Sequence, residues 1–328
     1  MAERTIALTG ATGFVGAHVL RALLAGGWRV RALARDPAKV TLPGEARGKL
    51  EIIPGALEDE EALARLMDGA EAAVHLAGLV KAARAEDFTA VNAHGAARAA
   101  KAAAKAGARR LVHVSSLAAR EPDLSPYARS KRLSEDMARE NGGGMRVSIL
   151  RPPAVYGPGD RATLGLVDQL SRAHAFLPGR AQGRFSLIHV CDLAGAIAAL
   201  AETDTGADAP LEIDDGKAGG YSLNELGALA GEALGRPVRV HLLPKGAVWL
   251  AGLGADGLSR LTGRAFMLSR AKVRELYHPD WVARPARAGE KLDWTARLGF
   301  AQGFLETLQW YCAQGWLSAS RLPEKEMR

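Results

Sequence analysis

The sequence predicts an α/β fold: a doubly wound parallel sheet followed by a smaller C-terminal lobe. Three observations predict it. Short, near-continuous apolar runs alternate with helical stretches through the first half; a glycine triplet separates the first run from the first helix; and the alternation breaks down after about Gly157. Apolar runs without polar alternation belong to strands buried on both faces. Their expected positions are Thr5–Thr9, Trp28–Ala34, Leu50–Ile53, Ala72–Leu76, Arg110–Val114 and Val147–Leu150. Helices are expected over Phe14–Ala25 and Asp87–Ala106, with another opening at Ser125-Pro126, a good N-cap followed by proline at the first helical position.

The division expected is a first domain over 1–157 and a second lobe over 158–328, with the chain crossing back to the core. In the lobe, Thr163–Ala175, Asp192–Glu202 and Leu223–Gly235 read as helices. Phe185–His189, Leu211–Ile213 and Val238–Leu242 read as short strands. Pro244–Leu261 is apolar but broken by Lys245, glycines and Asp256. A core helix pair is its preferred reading, ahead of a lid over an apolar substrate and of a peripheral membrane contact. Phe304–Leu317 reads as a closing amphipathic helix and Arg321–Arg328 as a polar tail.

Composition excludes several classes. Of 328 residues, 48% are hydrophobic and 24% charged, which suits a globular protein with a sizeable core. No apolar run approaches the roughly 20 residues of a membrane span. Cys191 and Cys312 are far apart, so neither a disulfide framework nor a metal site is expected, and the cytoplasm is the expected compartment. The net charge is +7, but the basic residues are scattered, with no basic block interleaved with aromatics. This argues against nucleic acid and for an anionic small-molecule ligand.

Thr9-Gly10-Ala11-Thr12-Gly13-Phe14-Val15-Gly16 sits where a doubly wound sheet binds a dinucleotide. Gly10 permits a tight turn, Gly13 the approach of a pyrophosphate and Gly16 close helix–strand packing. Thr12, Phe14 and Val15 complete the loop and first helical turn, whose free N–H groups face the phosphates. The second strand ends at Ala34-Arg35-Asp36. An arginine there suits a 2′-phosphate, which favours NADP(H) with NAD(H) as the alternative. Asp36 is expected to turn away or to cap the next helix.

Tyr127 and Lys131 fall at i and i+4 of the helix opened by Ser125-Pro126. A phenol titrates near ~10, too high for ready proton exchange at neutral pH. A neighbouring ammonium favours the phenolate. One of the serines in Ser115-Ser116 could hold a substrate oxygen beside the phenol.

Together these segments resemble the extended short-chain dehydrogenase/reductases. That group includes nucleotide-sugar epimerases and dehydratases, dihydroflavonol-type reductases and 3β-hydroxysteroid dehydrogenase-like enzymes. The resemblance rests on Thr9–Gly16, His75-Leu76-Ala77-Gly78, Val91-Asn92-Ala93-His94-Gly95, Val114-Ser115-Ser116, Tyr127–Lys131, Leu150–Pro158 and Phe185–Leu193. It implies a Rossmann sheet and hydride transfer between a nicotinamide and a ketone or secondary alcohol. Tyr127 would be the acid/base, Lys131 its pKa partner and the holder of the nicotinamide ribose, and Ser116 the group on the substrate oxygen, with Ser115 the competing choice. Ala77, Gly78, Pro152 and Val155 would line the nicotinamide and its ribose. Two departures stand out. Gly55-Ala56-Leu57 replaces the family's Gly-Asp-Leu, leaving only the Leu57 backbone to meet the adenine, and the loop Leu117–Pro126 is short. The apolar Leu117, Ala118 and Ala119 argue against dehydration. The resemblance therefore favours an NADP(H)-dependent ketone/alcohol oxidoreductase, with nucleotide-sugar epimerase second and a non-catalytic cofactor-binding scaffold third. It also implies a homodimer. Arg161, Arg172, Arg180 and Arg184 are the residues that could meet a sugar diphosphate.

Overall fold

A computed structural model describes residues 4–41, 48–203, 209–285, 292 and 294–323. The chain forms two compact units. The first comprises Met1–Pro152, Leu193–Glu212 and Pro285–Trp294; the second comprises Pro153–Asp192, Ile213–Arg284 and Thr295–Arg328.

Unit 1 is a seven-stranded sheet in which every pairing is parallel. Its strands are β1 (Thr5–Thr9), β2 (Arg29–Ala34), β3 (Leu50–Pro54), β4 (Ala72–His75), β5 (Arg110–Val114), β6 (Arg146–Arg151) and, late in the chain, β11 (Leu211–Glu212). The order is β11-β6-β5-β4-β1-β2-β3. The strand order reverses between β1 and β4, and ligands bind at such a switch point, beyond the carboxyl ends of the strands. The apolar runs became strands because both faces are covered: β4 and β5 are buried at every position. The helices of unit 1 are α1 (Phe14–Ala25), α2 (Glu60–Met67), α3 (Ala85–Phe88), α4 (His94–Lys105) and α5 (Pro126–Glu140). Ala99, Ala100 and Ala103 of α4 are buried beside Leu63 and Leu66 of α2, small side chains that let the two helices approach closely.

Unit 2 packs three two-stranded parallel pairs with helices. The pairs are β7 (Ala154–Tyr156) with β10 (Leu187–His189), β8 (His174–Pro178) with β12 (Arg239–Leu243), and β9 (Arg184–Phe185) with β13 (Asp280–Trp281). Its helices are α6 (Leu164–Leu170), α8 (Leu223–Leu234), α9 (Lys245–Thr262), α10 (Arg270–Leu276) and α11 (Phe300–Ala313). α7 (Val190–Glu202) carries the chain from this unit to the first. Tyr156, Leu177, Leu226, Phe300, Phe304 and Tyr311 form the core of unit 2.

Several expectations need correction. The single long helix over Asp87–Ala106 is α3, a π-helical turn over Thr89–Ala93 and α4. Helix α6 ends at Leu170, and His174-Ala175 already belong to β8. Leu211-Glu212 joins β6 of the main sheet instead of the lobe. The strand expected over Phe185–His189 is two, β9 and β10. Helix α11 begins four residues earlier than expected, at Phe300. α9 does pair with α10 through Val248, Val273 and Tyr277, but its other face is exposed, so it is not a core helix pair. The expected polar tail runs past residue 323, beyond the described residues.

Candidate active site

The carboxyl edge of the main sheet collects the predicted residues of unit 1. The register pairs Thr9 with Leu33 on one side and His75 on the other. This sets Gly10, Arg35 and Ala77 just beyond neighbouring strands. Gly10 adopts a φ of 82°, and a Cβ there would lie 2.7 Å from the Ala77 nitrogen. A Cβ at Gly16 would collide with the Gly10 carbonyl oxygen. Both positions therefore require glycine, and the turn brings the start of α1 against β1. Gly13 caps α1 without a side-chain hydrogen bond, and no acidic residue lies in its first turn. The N–H groups at this end are left for an anion, and the helix dipole favours one. Thr12 is exposed beside them, with Phe14 and Val15 half-buried. This cradle fits the pyrophosphate of a nicotinamide dinucleotide.

Arg35 is exposed past the end of β2. Asp36 instead caps a short 3₁₀ turn, accepting from the Ala38 N–H at 3.2 Å, and pairs with Lys39. The Leu57 side chain is buried in the core, so only its backbone is left to face a ligand. Asp59 caps α2 by accepting from the Ala62 N–H at 2.9 Å and is not a replacement for the missing aspartate. Gly78 is exposed and Ala77 half-buried. The Pro152 carbonyl accepts from the Leu117 N–H at 2.8 Å, tying the segment after β6 to the segment after Ser116. Val155 lies in β7 of unit 2, paired with Ile188.

Ser125 accepts from the Ala128 N–H at 2.9 Å, and α5 starts there as its sequence predicts. Tyr127 is half-buried, with its ring edge-on to Phe88 at 5.9 Å. One turn on, Lys131 is buried and its Nζ donates to the Val114 carbonyl at 2.8 Å. Burial brings its pKa down from 10.5 to about 8, opposed by the negative charge of Glu135. The two candidate serines separate clearly. Ser115 is buried and donates to Glu135 Oε1 at 2.6 Å. Ser116 is half-buried, and its Oγ caps the following 3₁₀ turn by accepting from the Ala118 N–H at 3.2 Å.

Much of the supporting structure comes from residues that are distant in sequence. Glu135, one turn beyond Lys131, is buried and grips Arg151 with two bonds of 2.8 and 2.6 Å. Arg151 also faces Glu212 at 4.0 Å, which pairs with Arg120 at 3.5 Å. His75 and His113 stack at 5.4 Å between Thr9 and Ser134. The Ser134 hydroxyl donates to the Lys131 carbonyl, so its oxygen accepts from His113 Nε2–H, which fixes that tautomer. Burial holds His75 down at about 3 and His113 well below its usual value, the Lys131 charge adding to both. Both rings are neutral. Asn92, in the π-helical turn, accepts from the Leu79 N–H and donates to the Leu79 carbonyl and to Ser130 Oγ. Ser130 in turn donates to the Tyr127 carbonyl at 2.8 Å. The sequence signal was spacing: Ser130 and Ser134, and Lys131 and Glu135, continue the one-turn period that starts at Tyr127.

In unit 2, three of the four candidate diphosphate residues are already engaged. Arg161 stacks on Trp316 at 4.1 Å, Arg172 pairs with Asp168, and Arg184 binds the Gly219 and Gly220 carbonyls and Glu225. Arg180 is exposed.

A parallel sheet with this strand order, a glycine cradle at its switch point and a Tyr-x-x-x-Lys helix at the same edge define a nicotinamide-dependent oxidoreductase of the extended short-chain dehydrogenase/reductase type. The chain belongs to the NAD-dependent epimerase/dehydratase family, which it matches over residues 6–213. It is 42% identical over 318 residues to a ceramide reductase of Caulobacter vibrioides, covering 96% of this chain and 97% of that protein. It is 30% identical to a dTDP-4-dehydro-6-deoxy-D-allose reductase of Streptomyces, covering 90% and 96%. Among solved structures, a dTDP-glucose 4,6-dehydratase of Streptomyces venezuelae with NAD bound superposes with a TM-score of 0.66 at 26% identity, covering 95% and 98%.

Proposed function

We propose that this protein is an NADP(H)-dependent ketone reductase acting on a ceramide-class lipid, with Tyr127 as acid/base. The observation that carries the chemistry is Lys131, anchored on the Val114 carbonyl and held at about 8, one helical turn from Tyr127. A cation there favours the phenolate and eases proton transfer near neutral pH. The nicotinamide, when bound, supplies the hydride. Tyr127 Oη gives its proton to the substrate oxygen as the alcohol forms, and the Lys131 ammonium stabilises the phenolate left behind. Ser116 Oγ donates to the same oxygen; Ser115, committed to Glu135, is unsuited to that role. Arg35 pairs with the 2′-phosphate of NADP(H).

The substrate reading is supported by the 42% identity to a ceramide reductase along almost the whole chain. It is also supported by the apolar Leu117, Ala118 and Ala119, and by arginines 161, 172 and 184 being engaged within the lobe. A second reading, a nucleotide-sugar reductase or epimerase, draws on the dTDP-sugar reductase likeness.

NADPH consumption with a ceramide bearing a ketone in its long-chain base tests the proposal. The expected result is turnover with NADPH preferred over NADH. Tyr127→Phe should lower turnover about 10²–10⁴-fold while NADPH binding, followed by fluorescence, is unchanged. A fully active Tyr127→Phe protein refutes the acid/base assignment. Turnover of a dTDP-ketosugar without turnover of the lipid transfers the assignment to the second reading.

A further inference from the structure

α9 inverts the burial expected of a surface helix. Of its 18 residues only Val248 and Gly252 are buried. Trp249, Leu250, Leu253, Leu258 and Leu261 stand 41%, 64%, 41%, 48% and 87% exposed. At 3.6 residues per turn, Trp249, Leu253, Leu250 and Leu261 share one face, and Val248 lies on the opposite one. The inner face is satisfied, since Val248 packs with Val273 and Tyr277, flanked by Leu243 and Leu268. After the helix the chain turns at Gly263, and Phe266 and Met267 add two further apolar side chains at 37% and 39% exposure.

The charge around this surface has one sign. The exposed charged residues of α9 are Lys245 and Arg260, and Arg264 follows in the turn. Asp256 of the same helix is neutralised by Arg270 Nε at 2.8 Å. An apolar face whose exposed charges, Lys245 at one end and Arg260 and Arg264 at the other, are all cations, on a chain of net charge +7, is complementary to an anionic lipid surface. Long basic side chains reach headgroups while the leucines enter the acyl boundary. A second copy of the chain is a poorer occupant. A two-fold pairing of this strip sets Lys245, Arg260 and Arg264 against the same cations. No helix among the described residues is long and apolar enough to cross a membrane, which leaves the helix in the plane of the interface.

We infer that α9 and the Gly263–Met267 turn dock on an anionic phospholipid bilayer. The inference rests on this surface and not on the proposed reaction, so it is tested without cofactor or substrate. The full chain is floated with phosphatidylcholine vesicles and with phosphatidylcholine–phosphatidylglycerol vesicles, at low and high salt. The expected result is flotation with the anionic vesicles that weakens with salt. Leu250→Asp/Leu261→Asp should reduce it at least about tenfold, since a carboxylate on the lipid-facing strip opposes both burial and surface charge. Arg260→Glu/Arg264→Glu should remove the preference for anionic vesicles, and it carries the test if the first pair does not fold. No flotation of the parent protein, or flotation unchanged in a folded variant, overturns the inference. So does a dimer in sedimentation that Leu250→Asp/Leu261→Asp dissolves, because it assigns the strip to a second copy.

Discussion

Helices α5 and α9 are opposite exceptions to the same rule. α5 is rich in charge, yet it buries Ser130, Lys131, Ser134 and Glu135. α9 is mostly apolar, yet it buries two residues and shows its leucines to solvent. In α5 each buried polar group finds a partner within unit 1: Ser130 with Asn92, Lys131 with Val114, Ser134 with His113, Glu135 with Arg151. Desolvating such groups is unfavourable unless they are paired, so a helix that does so is held in one arrangement. Among the described residues the outward leucines of α9 have no such partner, which points to something outside the chain. In the proposed readings, one helix departs from the hydrophobic rule to make chemistry and the other to meet a surface.

That contrast can be broken in four ways, the largest effect first. Lys131→Met replaces the buried ammonium with an apolar chain of similar length. Turnover is expected to fall about 10²–10⁴-fold. The melting temperature should hold or rise, because a desolvated charge is gone. Unchanged turnover would remove Lys131 from the chemistry.

Glu135→Gln strands the Arg151 charge in a buried position. A loss of about 3–5 kcal/mol in urea unfolding is expected. A loss under about 1 kcal/mol would mean that Glu212 suffices to hold Arg151.

His75 gives the acid limb. Its folded pKa, about 3, lies below its unfolded value of 6.5, so its contribution is present above pH 6.5 and is lost as pH falls toward 3. At pH 5 the loss is about 2 kcal/mol relative to pH 7. His75→Asn should show a correspondingly smaller drop between those pH values; an equal drop places the acid sensitivity elsewhere. The smallest effect belongs to α9. Leu253→Ser should change stability by no more than about 0.5 kcal/mol, since the side chain is exposed and belongs to no buried cluster among the described residues. A loss above about 2 kcal/mol would show that Leu253 is a core residue after all.

The main sheet is legible because its central strands β1, β4 and β5 are buried on both faces and read as mainly apolar runs, with β2, β3 and β6 following the same alternation of strand and helix. β11 joins the main sheet against expectation because two residues, Leu211-Glu212, carry no period that says which sheet they join. α6 is shorter than its pattern suggests because nothing in the local composition marks Ser171 as its end. The glycine cradle and the start of α5 were readable because each depends on local backbone chemistry. Glu135 was not, because a charged residue at a helical position reads as solvated until Arg151, from another element, is brought against it. The exposure of α9 was also hidden: an apolar pattern states that a face avoids water and leaves open what covers it.

The π-helical turn at Thr89–Ala93 has a kinetic consequence. It presents Asn92 so that one carboxamide closes the Leu79 backbone on one side and holds Ser130 of α5 on the other. The amide of Leu79 exchanges with solvent only when the Asn92 Oδ1 lets go, and a carboxamide that swings away altogether also releases Ser130 of α5. Protection of the Leu79 amide from exchange thus reports on the same carboxamide that tethers the helix carrying Tyr127 to the segment after β4.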